Sequence, residues 1–369
     1  MPFSFDAPSR ASPWNSEELL RSELFSVERL EQHARSLAAA QPVSEKRLRG
    51  RALTTRLRDN ARVLLAAYRD IASAVSAGRP ITPAAEWLLD NYHVIEEQIR
   101  EIRVDLPPGF YRELPKFTDG PFAGYPRVFT VAWAYVAHTD SRFDPEVLRR
   151  FVRAYQSVQP LTIGELWAVA ITLRVVLVEN MRRAAQRIVV GRVARQEADA
   201  LADRLLGVND QAPDPTALAR FQVSARDLPP AFVVQLTQRL RDQDPKVTPA
   251  LLWLEHHLAV RQTSADQVVH DEHQRQAASN VTVRNIITSM RLISDVDWAE
   301  FFEAVSLVDE TLRAGSDFAK LDFATRNLYR SAIEKLARGS KLTDVQVAQA
   351  ALSVAQQQDP SVAARARDP

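Results

Sequence analysis

Apolar residues recur along this chain every three to four positions, with almost no strict alternation. Leu19, Leu20, Leu24, Val27, Leu30 and Leu37 share one face of a helix predicted over 16–40. Leu53, Leu57, Val63, Leu64, Leu65, Tyr68 and Ile71 do the same over 45–77. The next helix contains EWLLDNYHVIEEQIREIR, 86–103, with Trp87, Leu88, Val94, Ile95, Ile99 and Ile102 on a core stripe and Tyr92 at its margin. Further helices are predicted at 128–138, 145–157, 162–189, 190–207, 215–222, 230–241, 249–261, 264–277, 282–294, 298–313, 322–338 and 343–357. Thr82-Pro83, Asp144-Pro145, Asp214-Pro215 and Thr248-Pro249 mark helix starts, because proline's missing N–H is not needed in the first turn. Thr162 and Glu165 form a capping box, and Asp297 with Glu300 forms a second.

These patterns predict an all-α, multi-helix array. A long loop rich in Pro, Gly and aromatic residues interrupts it at 104–128, with Tyr111 and Tyr125 among its rings. DLPPGFYRELPK, from Asp105, is echoed by DLPPAFVVQLTQRL, from Asp227, about 120 residues later, which suggests two diverged helical halves. The expected organisation is a disordered segment at 1–13, a helical subdomain at 14–206, a linker at 207–216, a second subdomain at 217–358 and a frayed tail at 359–369.

Composition narrows the function classes. A chain of 369 residues with 46% hydrophobic and 25% charged content is globular. Net charge is +1, so no bulk attraction to nucleic acid is implied. With no cysteine, disulfides, thiolate–zinc sites and thiol nucleophiles are excluded. The most apolar run, 166–178, contains Arg174 and is shorter than the roughly 20 residues a membrane span needs. A basic stretch, Lys46, Arg47, Arg49, Arg51, Arg56, Arg58 and Arg62, reads as a solvated face or as a contact with an anionic membrane surface or a nucleotide phosphate.

Candidate chemistry is sparse. His93 and Glu97 are i,i+4 neighbours on the polar side of their helix, which suits a partner contact better than a metal. His138, Asp140, Arg142 and Asp144 gather in HTDSRFDP, where helix end, loop and N-cap explain them. His270 and His273, near His256 and His257, lack a third convergent ligand. Asp295-Val296-Asp297 has the spacing of a metal-holding Asp-x-Asp but reads as a helix start. No catalytic, cofactor or metal site is expected. His93, Glu97, Tyr111, Tyr125, His138 and Arg142 are the candidates for partner or glycan contact.

EWLLDNYHVIEEQIREIR, LPPGFYRELPK, GPFAGYPRVF, AHTDSRFDPEVLRRFVRAYQ, QPLTIGELWAVAITLRVVLVEN, VHDEHQRQAASNVTVRNIITSMRLISDVDW and DFATRNLYRSAIEKLA together resemble the N-terminal region of cyclic β-1,2-glucan synthases, from about Trp14 onward. The resemblance implies a bacterial inner-membrane protein that polymerises glucose from UDP-glucose and closes the chain into cyclic glucans for the periplasm. In that family the transferase, with its UDP-glucose and divalent metal, and the membrane helices lie downstream of the matched region. No transferase motif can therefore be placed on these positions. The expected role is assembly or regulation on the cytoplasmic side of the membrane, with the downstream transferase and membrane domains as partners. The alternative is a binding module that meets glucan or UDP-glucose through the aromatic loop.

Overall fold

The computed structural model describes residues 16–40, 53–207, 213–214, 216–224, 227–241 and 248–357. The expectations for 1–13, for Lys46, Arg47, Arg49 and Arg51, for most of 207–216 and for the tail lie outside them. The described residues form sixteen α-helices, a short 3-10 turn and no strand, so the all-α expectation holds. The helices are α1 (Val27–Ala40), α2 (Leu53–Ser76), α3 (Pro83–Asp90), α4 (Tyr92–Asp105), α5 (Pro108–Glu113), α6 (Arg127–His138), α7 (Pro145–Gln156) and α8 (Ile163–Leu206). They continue as α9 (Ala217–Ser224), α10 (Pro230–Leu240), α11 (Thr248–Ala259), α12 (Ala265–Asp295), α13 (Trp298–Val305), α14 (Leu307–Gly315), the turn Asp317–Lys320, α15 (Phe323–Arg338) and α16 (Asp344–Gln357).

The chain forms two compact units. The first comprises Met1–Arg58, Val94–Asn180 and Asn285–Pro369, and the second Asp59–His93 and Met181–Arg284. In the first, Ile95, Phe129, Tyr135, Phe151, Tyr155, Val176 and Phe302 are all buried, and α1 packs along α7. In the second, Ala194, Ala198 and Leu201 of α8 meet Phe232 and Leu236 of α10 and Leu254 of α11. The alanines let neighbouring helices approach closely, and the larger residues fill the space between them.

Most capping expectations hold. Thr82 accepts from the Ala85 amide, and Asp144 from Glu146 and Val147. Asp297 accepts from Ala299 and Glu300. Glu165 Oε2 accepts from Thr162 N at 2.9 Å, while Thr162 Oγ1 accepts from Glu165 N at 3.2 Å, closing the box. The two Asp-Leu-Pro-Pro echoes each open a helix, with Pro107 and Pro229 as extended N-cap residues.

Several boundaries differ from expectation, each for a tertiary reason. The first helix begins at Val27, not at 16, because the preceding backbone bonds elsewhere. Leu20 N donates to Asn180 Oδ1, Ser22 N to Ala137 O and Phe25 N to His138 O. Leu24 is consequently exposed. The helix expected over 86–103 breaks at Asn91, whose side-chain amide donates to Trp87 O at 2.8 Å. The helix expected at 298–313 breaks at Ser306, whose hydroxyl caps Asp309 N. The aromatic loop is partly regular, since α5 lies within it.

Two expected breaks do not exist. Helices 162–189 and 190–207 are one helix of 44 residues, α8. Val189, Val190 and Gly191 are weak helix formers, but propensity is a weak prior, and the helix runs through them although Val190 is exposed. Helices 264–277 and 282–294 are likewise one, α12. Ser279 and Asn280 fall in the expected gap between them. Instead Asn280 stays helical, and its Oδ1 accepts from Ala84 N at 3.0 Å.

Gly191 carries a helix-propensity cost without a steric need. A Cβ there would sit 3.6 Å from an Arg195 nitrogen and 3.9 Å from Ala231 Cβ, ordinary contact distances. Gly191→Ala is therefore expected to stabilise the protein by about 0.5–1 kcal/mol. Urea unfolding measures this, and a lower midpoint for the variant would show that the glycine's space is needed.

Candidate functional site

The sequence-nominated residues do not converge. His93 and Glu97 sit on the exposed side of α4, and Glu97 pairs with Arg100 at 3.5 Å. The opposite side, including Tyr92, Val94, Ile95, Ile99 and Ile102, is buried, which is the phase expected.

Tyr111 and Tyr125 lie inside. Both rings are nearly inaccessible, because the loop that carries them folds back on itself. Phe117 N donates to Tyr125 O, and Gly124 N donates to Phe117 O. Gly120 and Gly124 adopt positive φ values of 81° and 82°, which glycine takes at no steric cost. Lys116, also buried, donates its ammonium to the carbonyls of Tyr111, Arg112 and Leu114 at 3.1, 3.0 and 2.8 Å. Burial pulls its pKa down. The lysine thus satisfies carbonyls at the end of α5.

His138 closes an aromatic cluster in the first unit. Its ring stacks on Phe25 at 4.0 Å and meets His33 of α1 at 4.6 Å. His138 Nδ1 donates to Glu23 O at 2.8 Å. Burial, reinforced by charge on His138, lowers the His33 pKa to about 4. Arg142 is exposed and lies in a strained turn, where Asp140 and Ser141 have φ of 50° and 62°. Asn285 Nδ2 donates to Asp140 O, and Ser289 Oγ donates to Ser141 O. The turn is pinned to α12, which accounts for its strain structurally.

Sequence reasoning missed the buried charges. Arg330 of α15 has no exposed surface, and neither does Asp309 of α14. Arg330 Nε donates to Asp309 Oδ1 at 3.0 Å, and its Nη2 donates to Glu303 Oε1 at 2.8 Å. Phe302 and Phe323 present their rings at 5.0 and 5.1 Å. Arg127 and Glu165 form a bidentate pair that ties α6 to the start of α8. Arg56 of α2 meets the buried Glu179. Arg174 Nε donates to Gln98 Oε1 at 3.0 Å, and Gln98 Nε2 donates to Ser294 Oγ at 3.1 Å.

The second unit holds a different arrangement. A cavity of about 70 Å³, open to solvent, lies between the start of α3, the Arg187–Arg195 stretch of α8 and the Glu272–Val283 face of α12. Arg187, Gly191 and Arg195 line it from one face of α8. Glu272, Arg275, Ser279 and Asn280 line it from α12. Arg275 approaches Glu272 at 3.6 Å, and Gln276 Nε2 donates to the same carboxylate at 3.1 Å. The recess brings arginines of α8 beside the charged face of α12. The spacing of Arg187, Gly191 and Arg195 at i, i+4 and i+8 was its signal, hidden by the expected helix break between them.

Among the described residues, no group of three or more His, Asp or Glu is placed to hold a metal. His270 and His273 are exposed on α12, and His270 Nε2 meets Gln274 Nε2 at 2.8 Å. Asp295 ends α12 and Asp297 caps α13. No described helix is long and apolar enough to cross a membrane.

No protein-family model matches the chain. The chain is 40% identical over 347 residues to the cyclic beta-(1,2)-glucan synthase NdvB of Rhizobium meliloti (strain 1021). The match covers 94% of this chain and 12% of that protein's length. The resemblance to cyclic β-1,2-glucan synthases read from the sequence is thus borne out.

Two predictions follow from the charge geometry of the first unit. Arg330→Met would leave the fully buried Asp309 with Arg313 alone, at 3.4 Å, and is expected to cost about 3–5 kcal/mol. Arg149→Ala, which removes an exposed i,i+3 pair, is expected to change stability by less than about 0.5 kcal/mol. Equal unfolding midpoints for the two variants would overturn the distinction. His33 binds a proton more weakly when folded, so its contribution is full above pH 6.5 and is lost as pH falls toward about 4. His33→Asn should flatten the stability profile in that window. Parallel wild-type and variant profiles would refute this.

Proposed function

We propose that this chain is an N-terminal helical region of a cyclic β-1,2-glucan synthase, serving the enzyme's assembly or regulation and not catalytic by itself. The observation that carries the reading is the identity, which runs along nearly the whole chain yet spans a small fraction of one synthase. The internal chemistry supports it. The buried carboxylates Glu165, Glu179 and Asp309 are each held by an arginine, which suits positioning helices better than reacting with a substrate. The partners are the downstream transferase and membrane domains, and the setting is the cytoplasmic side of a bacterial inner membrane. UDP-glucose and its divalent metal belong to the transferase part of such an enzyme.

The polar side of α4, with exposed His93 and Glu97, is offered to that partner. Glycan contact through the aromatic loop gains no support from Tyr111 or Tyr125, whose rings are buried.

Purified 1–369 is expected to show no glucose transfer from UDP-glucose, while its circular dichroism confirms the helical fold. A synthase deleted of the matching region is expected to lose cyclic glucan synthesis and to regain it when 1–369 is supplied in trans. Transfer by the isolated chain, or undiminished synthesis by the deleted enzyme, would overturn the proposal.

A further inference from the structure

The first residue of α16 is a carboxylate in an unusual position. Asp344 is 7% exposed and makes no ion pair with a described residue, whereas Glu165, Glu179 and Asp309 each meet an arginine directly. Its Oδ2 accepts from Ile163 N, at the start of α8, at 2.8 Å. Its Oδ1 accepts no hydrogen bond from a described residue. Burial pushes the carboxyl pKa above its ordinary value, and the charges of Glu334 and Glu165 push the same way. The Ile163 amide and Arg338 offset this only in part.

Negative charge is in excess here. Arg338, the last residue of α15, faces Glu334, Glu113 and Asp344 together. It pairs with Glu113 and with Glu334, each at 2.7 Å, and so leaves Asp344 without a counter-ion. Lys335 and Lys341 are exposed and make no ion pair with a described residue. The amides at a helix start attract carboxylates, which accounts for the gathering. A Cβ on Gly164 would lie 3.1 Å from Glu334 Oε1. Those amides are already engaged, since Thr162 N donates to Glu165 and Ile163 N to Asp344. A desolvated carboxylate without a cation is costly.

A cavity of about 200 Å³, open to solvent, lies against Asp344. The end of α15, the start of α16 and the 160–162 segment form its walls. They are mainly apolar, with Pro160, Leu161, Ala337, Leu342 and Val345. The volume exceeds the roughly 10–15 Å³ that one water needs, and falls short of the roughly 300–1,000 Å³ of a site for a drug-sized molecule. It fits one aliphatic chain. Apolar walls beside a desolvated carboxylate match a chain that is apolar along its stem and cationic at its tip. The free Oδ1 suits the point charge of an ammonium, whereas a guanidinium fork takes both carboxylate oxygens. A hard metal ion, which takes about six or more oxygen ligands, would find mostly alkyl groups.

We propose that this cavity binds a primary alkylammonium group, with Asp344 receiving the ammonium and the apolar walls holding the stem. The group would come from a lysine side chain or from a free aliphatic amine.

The test is saturation-transfer NMR titration of the full chain at constant ionic strength with pentylamine, Nα-acetyl-lysine methylamide and pentanol. Both amines are expected to bind saturably, and pentanol about tenfold more weakly or worse. Asp344→Asn keeps an oxygen for Ile163 N, and is expected to weaken amine binding about tenfold or more. Its unfolding midpoint should be unchanged or raised, because the fold disfavours the charge that it removes; a merely structural role would lower it. Leu342→Asn, on a half-exposed side chain, should weaken binding with no change of charge. Glu96→Gln, exposed on α4, removes the same charge elsewhere and should bind as wild type does. Binding of pentylamine without the lysine derivative identifies a free amine as the source and keeps the site. Absence of saturable binding by both amines, pentanol binding equal to that of pentylamine, or an Asp344→Asn variant that binds like wild type would overturn the proposal.

Discussion

The described residues are built into helices alone, so backbone hydrogen bonds close within each helix, and side chains must hold one helix against another. This constraint governs the whole structure. Apolar packing supplies most of the stabilisation but little direction, because leucine and alanine faces slide and rotate at modest cost. Direction comes from polar side chains that reach between elements, such as Asn180 to Leu20, Ser289 to the 141–143 turn and Asn280 to the start of α3. Each satisfies a backbone group that has no partner within its own helix, and each is met in one register only.

The buried arginine–carboxylate pairs extend this logic. Arg127–Glu165 joins α6 to α8, Arg330–Asp309 joins α15 to α14, and Arg56–Glu179 joins α2 to α8. Such pairs are weak sources of net stability, since desolvation offsets most of their attraction. They penalise misplacement heavily, because a helix shifted by one residue leaves two charges buried and unmet. Glu165 shows how much one carboxylate can do. It closes the capping box with Thr162 and also receives Arg127, so the start of α8 and its lateral neighbour are set by one side chain.

Local chemistry made much of this architecture legible in the sequence. Caps at Thr82, Asp144, Thr162 and Asp297 depend on residues within three positions of one another, and a linear reading finds them. The same holds for the phase of α4, set by Ile95, Ile99 and Ile102. What escaped was non-local. The 16–26 segment has helical periodicity, yet its amides bond to Asn180 and to the end of α6. Arg330 sits in SAIEKLAR-like surroundings that suggest surface, and its burial depends on a carboxylate 21 residues away. Arginine is so rarely buried without a partner that its location becomes readable only once the partner is known.

The recess in the second unit escaped for a related reason. Weak helix formers at 189–191 and a Ser-Asn pair at 279–280 look like chain breaks. Splitting α8 and α12 there separates Arg187 from Arg195 and Glu272 from Asn280. Once both helices are continuous, i,i+4 and i,i+8 spacing places each set on one face. In the first unit Arg127 and Arg330 meet carboxylates directly, and aromatic rings cover part of the Arg330 guanidinium. In the second, Arg192 of α8 meets Asp70 of α2, and Arg239 of α10 meets Asp199 of α8. The two units obey the same rule, that a desolvated cation must be met.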